Sequence, residues 1–226
     1  MTDALKLLFI RHAQSTGNLE RRMQGHGDYP LTNRGRSQTR QLAERLRTEN
    51  CVPTAIYTSP LKRTVQTAEI LCNAFASERL VEFSVHYVPE LAEFQNGVFQ
   101  GLTWDEAKAQ YPDLCHQLET HHDWIAIPEA ETLQDARDRA QTILNHILTN
   151  YQNGDCVWLV SHSWIMQHLI SELLGSPRSW RLRVQNTAIF EFWIDQSRWH
   201  RSDINQLNTD LWQIVRFNDV SHLDCD

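Results

Sequence analysis

A chain of 226 residues is long enough for one domain with a modest insertion. Its 41% hydrophobic and 22% charged residues are those of an ordinary globule. A formal net charge of −7 argues against a general polyanion-binding surface, so no nucleic-acid partner is expected and any basic cleft must be local.

Apolar runs alternate with helix patterns along the chain, without repeats, low-complexity tracts or Gly/Ser linkers, which predicts an α/β domain. Leu5 to Ile10 reads as a short buried strand that stops at the octapeptide Arg11-His12-Ala13-Gln14-Ser15-Thr16-Gly17-Asn18. Leu31 to Gly35 offers a polar cap to a helix running to about Arg47, with Leu42, Ala43 and Leu46 on one face. Ala55-Ile56-Tyr57 reads as a second strand, and Ser59 with Pro60 predicts a helix starting there and running through Phe75. Val85 to Val88 is a candidate third strand. From about 89 to 130 the pattern is irregular and cap-like. Within it Thr103-Trp104-Asp105-Glu106 is a capping box for a short helix that Pro112 is expected to stop. Thr132 to about Tyr151 predicts a long amphipathic helix with Ala136, Ala140, Ile143, Leu144, Ile147 and Leu148 inward. Val157 to Val160 reads as a buried strand ending at Ser161-His162-Ser163, followed by a helix to Leu174 with Gly175 at C′. Two late strands, near Ala188–Ile194 and Leu211–Phe217, finish the sheet.

The cysteines (Cys51, Cys72, Cys115, Cys156, Cys225) are odd in number and scattered without a C-x-x-C pair, so reduced thiols are expected. No stretch approaches the ~18–20 apolar residues of a membrane span, and Met1-Thr2-Asp3-Ala4 does not open a signal-like segment. A cytoplasmic protein without a membrane partner is the expectation.

Two strands end in a histidine, His12 and His162, and Arg63 lies in the first turn of the helix after the second strand. In a parallel sheet these ends share one edge, where open α/β sheets hold their ligands. Arginine presents a planar fork of donors that matches phosphate, and neutral histidine is a nucleophile. From the residues alone, a phosphate trap and a set of satisfied polar strand ends are equal readings.

Longer blocks carry a resemblance. The octapeptide resembles the R-H-[GA]-x-[ST]-x-x-N motif of the histidine phosphatase superfamily, which includes the cofactor-dependent phosphoglycerate mutases. Met23 to Thr32 resembles the family's following loop and Thr58 to Ala68 its second arginine segment. Leu91 to Leu102 resembles its acid-bearing block, Val160-Ser161-His162 its second-histidine motif, and Asn186-Thr187-Ala188 its later loop. The resemblance implies one domain over 1–226, a three-layer α/β/α fold with a mainly parallel central sheet, phosphoglycerate mutase-like. It implies that His12 attacks phosphorus to form a phosphohistidine. Arg11, Arg63 and His162 would clamp the phosphoryl oxygens, with Asn18 donating from the side. Glu93 would be the general acid and then base. Ser15, Gln24, Gly25 and Ser163 are further phosphate- or substrate-binding candidates. No metal and no cofactor are implied. Crowding by two arginines should lower the pKa of both histidines, and a bell-shaped rate profile is expected.

Ala13 and Ser163 stand where glycine is commoner, Ala130-Glu131-Thr132 replaces G-E-S, and Asn96 replaces an aromatic or apolar residue. None of these removes a catalytic group. Cys72-x6-Arg79 misses the spacing of cysteine phosphatases, no P-loop is present, and His116, His121 and His122 lack the spacing of metal ligands. Thr103 to Ala130 holds one basic residue, Lys108, where a mutase would carry arginines for a second charged group. Hydrolysis of a small phosphorylated metabolite is therefore favoured over phosphoglycerate mutation, with a non-catalytic phosphoester-binding protein as the third reading. The tail Asn218 to Leu223 resembles that of small-molecule phosphatases and would bring His222 near the substrate; a surface tail is the other reading. Trp104, Trp124, Phe94 and Phe99 line an apolar side of the cleft or fill the core. A homodimer is the assembly to test.

Overall fold

The structure, a computed structural model, describes residues 3–76, 83–177, 181–199 and 211–223, so Arg79 and Cys225 lie outside the described residues. Leu5–Arg11 forms β1, and its alternation sorts the two faces of the sheet. Leu5, Leu7 and Phe9 point into one apolar cluster and Leu8 and Ile10 into the other. The first cluster is closed by α6 (Leu133–Asn150) and α7 (Ser163–Leu173), through residues such as Ile143, Ile147, Ile165 and Leu169. The second is closed by α2 (Asn33–Thr48) and α3 (Lys62–Ala76), through Leu42, Leu46, Ala68 and Leu71. Both faces are covered, which is why the central strands are continuous apolar runs. All six residues expected inward on α6 are buried.

The sheet order is β3-β2-β4-β1-β5-β6, with β2 at Ala55–Thr58, β3 at Ser84–Tyr87, β4 at Cys156–Ser161, β5 at Ile189–Ile194 and β6 at Trp212–Asp219. The strands β3, β2, β4 and β1 are parallel; β5 runs antiparallel to β1, and β6 antiparallel to β5. The mainly parallel three-layer α/β fold is as expected. Register is what builds the site: Arg11 lies beside Ser161, and Thr58 beside Val160. His12, Ser59 and His162 therefore leave the sheet at one edge, side by side.

Two boundaries differ from expectation. α3 begins at Lys62, because Ser59 Oγ accepts from Leu61 N–H in a turn that precedes the helix. Pro112 does end α4 (Trp104–Gln110), but it also opens α5 (Pro112–Thr120) as its first residue, where the missing N–H costs nothing. The cap-like segment thus carries two helices around a small cluster of Phe99, Ala107 and Cys115, with Met23, Trp104 and Tyr111 packed on it. A further single turn, α1 (Thr16–Leu19), starts inside the octapeptide, and α8 (Gln196–Trp199) follows β5. Among the described residues, no helix is long and apolar enough to cross a membrane.

Candidate active site

His12 leaves β1 almost fully buried, and its Nδ1–H donates to the carbonyl of Ala13 at 2.7 Å. That bond selects the tautomer, leaving a lone pair on Nε2. The backbone beneath the ring is held as well: Asn186 Nδ2 donates to the His12 carbonyl at 3.0 Å, and His12 N–H donates to Ser161 O at 2.9 Å. Burial holds His12 well below the usual histidine range, helped by the positive charges of Arg63 and Arg11. A neutral imidazole with a free Nε2 lone pair has the chemistry of a nucleophile.

Arg63 reaches the same edge from α3, fully buried and pinned by three bonds. Nε donates to His162 Nδ1 at 3.1 Å, Nη1 to Gly27 O at 3.0 Å and Nη2 to Gly25 O at 2.8 Å. A guanidinium has five N–H groups, so its two terminal nitrogens each keep one for a ligand. Gly25 serves through its backbone, at φ +45° and against the Gln100 side chain, where a Cβ would clash. Arg11 donates through Nη1 to Val184 O, while its Nε is shielded from water and has no hydrogen-bond partner among the described residues. A buried donor without an acceptor, next to a second arginine, has the chemistry to hold an anion. Burial lowers both arginines, Arg63 to about 10, and the charge of Glu93 opposes the shift in each.

His162 is fully buried, its ring centroid 5.0 Å from that of His12. With Nδ1 accepting from Arg63, the proton sits on Nε2 and donates to Ser59 Oγ at 2.9 Å. Burial, Arg63, His12, Arg11 and His26 hold it well below the usual histidine range. The ring is thus neutral, with both nitrogens engaged by protein groups.

Glu93 follows the 3₁₀ turn Pro89–Leu91, and its carboxylate lies at the start of α7. Oε1 accepts from Phe94 N–H at 3.0 Å, Trp164 N–H at 3.1 Å and Ile165 N–H at 3.4 Å; Oε2 accepts from Ser163 Oγ at 3.3 Å. It supplies the cap that the N-cap residue His162 lacks. Behind it, Arg139 holds the Glu131 carboxylate through Nε and Nη2 and donates to the carbonyls of Glu90 and Ala92. His26 Nε2 donates to the Glu93 carbonyl at 2.8 Å from the facing loop.

The remaining candidates separate. Asn18 Oδ1 accepts from Ser15 N–H and from Asn186 Nδ2, so its amide nitrogen is the end left to donate. Ser15 is fully buried as the N-cap of α1, and its hydroxyl is spent on Gln24 Oε1 at 2.7 Å. Neither Ser15 nor the Oε1 of Gln24 faces outward. Ser163 turns to Glu93, and His222 lies a residue removed from the site: its Nε2–H donates to Thr187 Oγ1 at 2.9 Å. Thr187 N–H in turn donates to Arg11 O. Asn186, Ser59 and His26 were not expected to have roles. Asn186 sits in a family-like block that could have flagged it, and Ser59 follows from strand register. His26 grips a backbone carbonyl, which leaves no trace in sequence.

The model of the histidine phosphatase superfamily (branch 1) matches residues 7–207. A relative named "Probable phosphoglycerate mutase GpmB", from Enterobacter sp. (strain 638), is 32% identical over 97% of this chain and 95% of its own length. Among solved structures, Bacillus stearothermophilus YhfR superposes with a TM-score of 0.78 at 27% identity, covering 97% of this chain and 99% of that one. A mycobacterial glucosyl-3-phosphoglycerate phosphatase shares the fold, with a TM-score of 0.75 at 24% identity over 95% of this chain and 99% of its own. The chain belongs to the histidine phosphatase superfamily.

Proposed function

We propose that this protein is a metal-independent phosphomonoester hydrolase that acts on a small phosphorylated metabolite through a phosphohistidine on His12. The carrying observation is the His12 ring, neutral, oriented by Ala13 O and set in the field of Arg11 and Arg63. Phosphoryl transfer asks mainly for positioning and charge neutralisation, and the two guanidiniums supply both. Nε2 attacks phosphorus as the ester P–O bond breaks, and Glu93, as the general acid, gives a proton to the departing alkoxide. Water then attacks the phosphohistidine while Glu93 takes its proton back, releasing phosphate and free His12. His162 joins the clamp by exchanging Ser59 Oγ for a phosphoryl oxygen.

The mutase reading is favoured by the name carried by the curated relatives. Against it, Lys108, the one basic residue of segment 103–130, is ion-paired with Glu119 at 2.6 Å. The test is phosphate release from a metabolite panel beside 2,3-bisphosphoglycerate-dependent interconversion of phosphoglycerates. Release of phosphate, with acid-labile phosphate trapped on the protein, is expected. His12→Ala should lose activity by roughly a thousandfold or more and trap no phosphate; a fully active variant overturns the mechanism.

A further inference from the structure

We propose that Trp124 and Trp164, packed over Phe94, form a shelf that binds the alcohol portion of the substrate and selects uncharged leaving groups carrying a planar ring. This rests on Glu93 being the acid at the leaving oxygen. An acid must lie within hydrogen-bond reach of that oxygen, so the alcohol's carbon atoms must lie beside Glu93.

The residues that hold the Glu93 carboxylate through their backbone N–H groups, Phe94 and Trp164, are the ones whose rings begin the shelf. Their centroids are 5.3 Å apart at 32°. Trp124, from the stretch between α5 and α6, closes edge-on against both, 5.2 Å from Trp164 at 64° and 6.0 Å from Phe94 at 84°. Phe94 is buried, whereas Trp164 is half-buried and Trp124 is 39% exposed. The cluster is therefore anchored on its inner side and open on its outer one.

Such a surface favours a flat apolar partner through stacking and edge contacts, while an aliphatic polyol gains little from it. The charge around the shelf points the same way. Arg139, which donates to the Ala92 carbonyl next to Glu93, is paired with Glu131. That commitment disfavours a second phosphate or carboxylate on the alcohol. The ligand class is a phosphomonoester of an alcohol bearing an aromatic or heteroaromatic ring close to the ester.

The test compares benzyl phosphate with glycerol 1-phosphate as substrates, and benzylphosphonate with methylphosphonate as unreactive ligands measured by calorimetry. The intact protein should prefer the benzyl member by about tenfold in both pairs, the ratio a ring contact of this kind yields. Trp124→Ala should erase that ratio, with the loss carried by KM rather than kcat, and Trp124→Phe should restore it. Equal handling of both members by the intact protein, or a ratio untouched by Trp124→Ala, overturns the shelf. If neither ester is hydrolysed yet benzylphosphonate still binds more tightly through Trp124, the shelf stands and the hydrolase reading is what fails.

Discussion

The chemistry of His12 is decided by two opposite sides of one ring. Ala13 O takes the proton on Nδ1, and burial with Arg63 and Arg11 keeps Nε2 unprotonated. Because the shift is downward, the imidazolium forms only well below pH 6.5. The acid limb of kcat/KM should accordingly lie below 6.5, and NMR titration should find both His12 and His162 neutral at that pH. A limb at the ordinary histidine value would show that neither burial nor the arginines act on the ring. Asn186 acts on the same residue through the backbone, joining the His12 carbonyl to Asn18. Asn186→Ala removes both donors and should lower kcat/KM by about tenfold, as expected for lost positioning, with the thermal midpoint little changed.

At the scale of elements, the cap-like segment is held in place by its return to the body of the protein. Gly97, at φ +53°, packs where a Cβ would lie 2.1 Å from Pro128 O and 2.4 Å from Ala130 N. There the chain bridges Asn96 to Ala130, and Gln95 N–H reaches Glu131. Gly97→Ala should cost on the order of 2–4 kcal/mol, read as a lower urea midpoint with an unchanged slope. It should also depress kcat, since Glu93 lies four residues before it. Elements were legible where pattern is local. The capping boxes at Thr103 and Thr132 and the inward face of α6 follow from spacing alone. α5 escaped notice because a proline that ends one helix and begins the next reads simply as a stop.

At the scale of the molecule, four histidines are carried largely neutral in the fold. His12 and His162 lie well below the usual range, and His168 and His222 are lowered to about 4, burial being the first cause in each. The unfolded chain binds protons on these groups near pH 6.5, whereas the folded chain resists until lower pH. Between about 6.5 and 4 the unfolded state therefore holds more protons, and stability must fall as pH falls. The thermal midpoint should be highest above pH 6.5 and drop steadily toward pH 4; a midpoint flat across that window would mean these groups are solvated. By itself the sequence determined the alternation of strands and helices, the buried faces and the motif blocks of the superfamily, because periodicity and spacing are local. Only the tertiary structure decided that His162 braces Arg63 and Ser59 and that His222 stops at Thr187. Those outcomes depend on which donor meets which acceptor across the sheet edge. Arg63 and His162 lie 99 positions apart and meet only because the parallel strands β2 and β4 share a register.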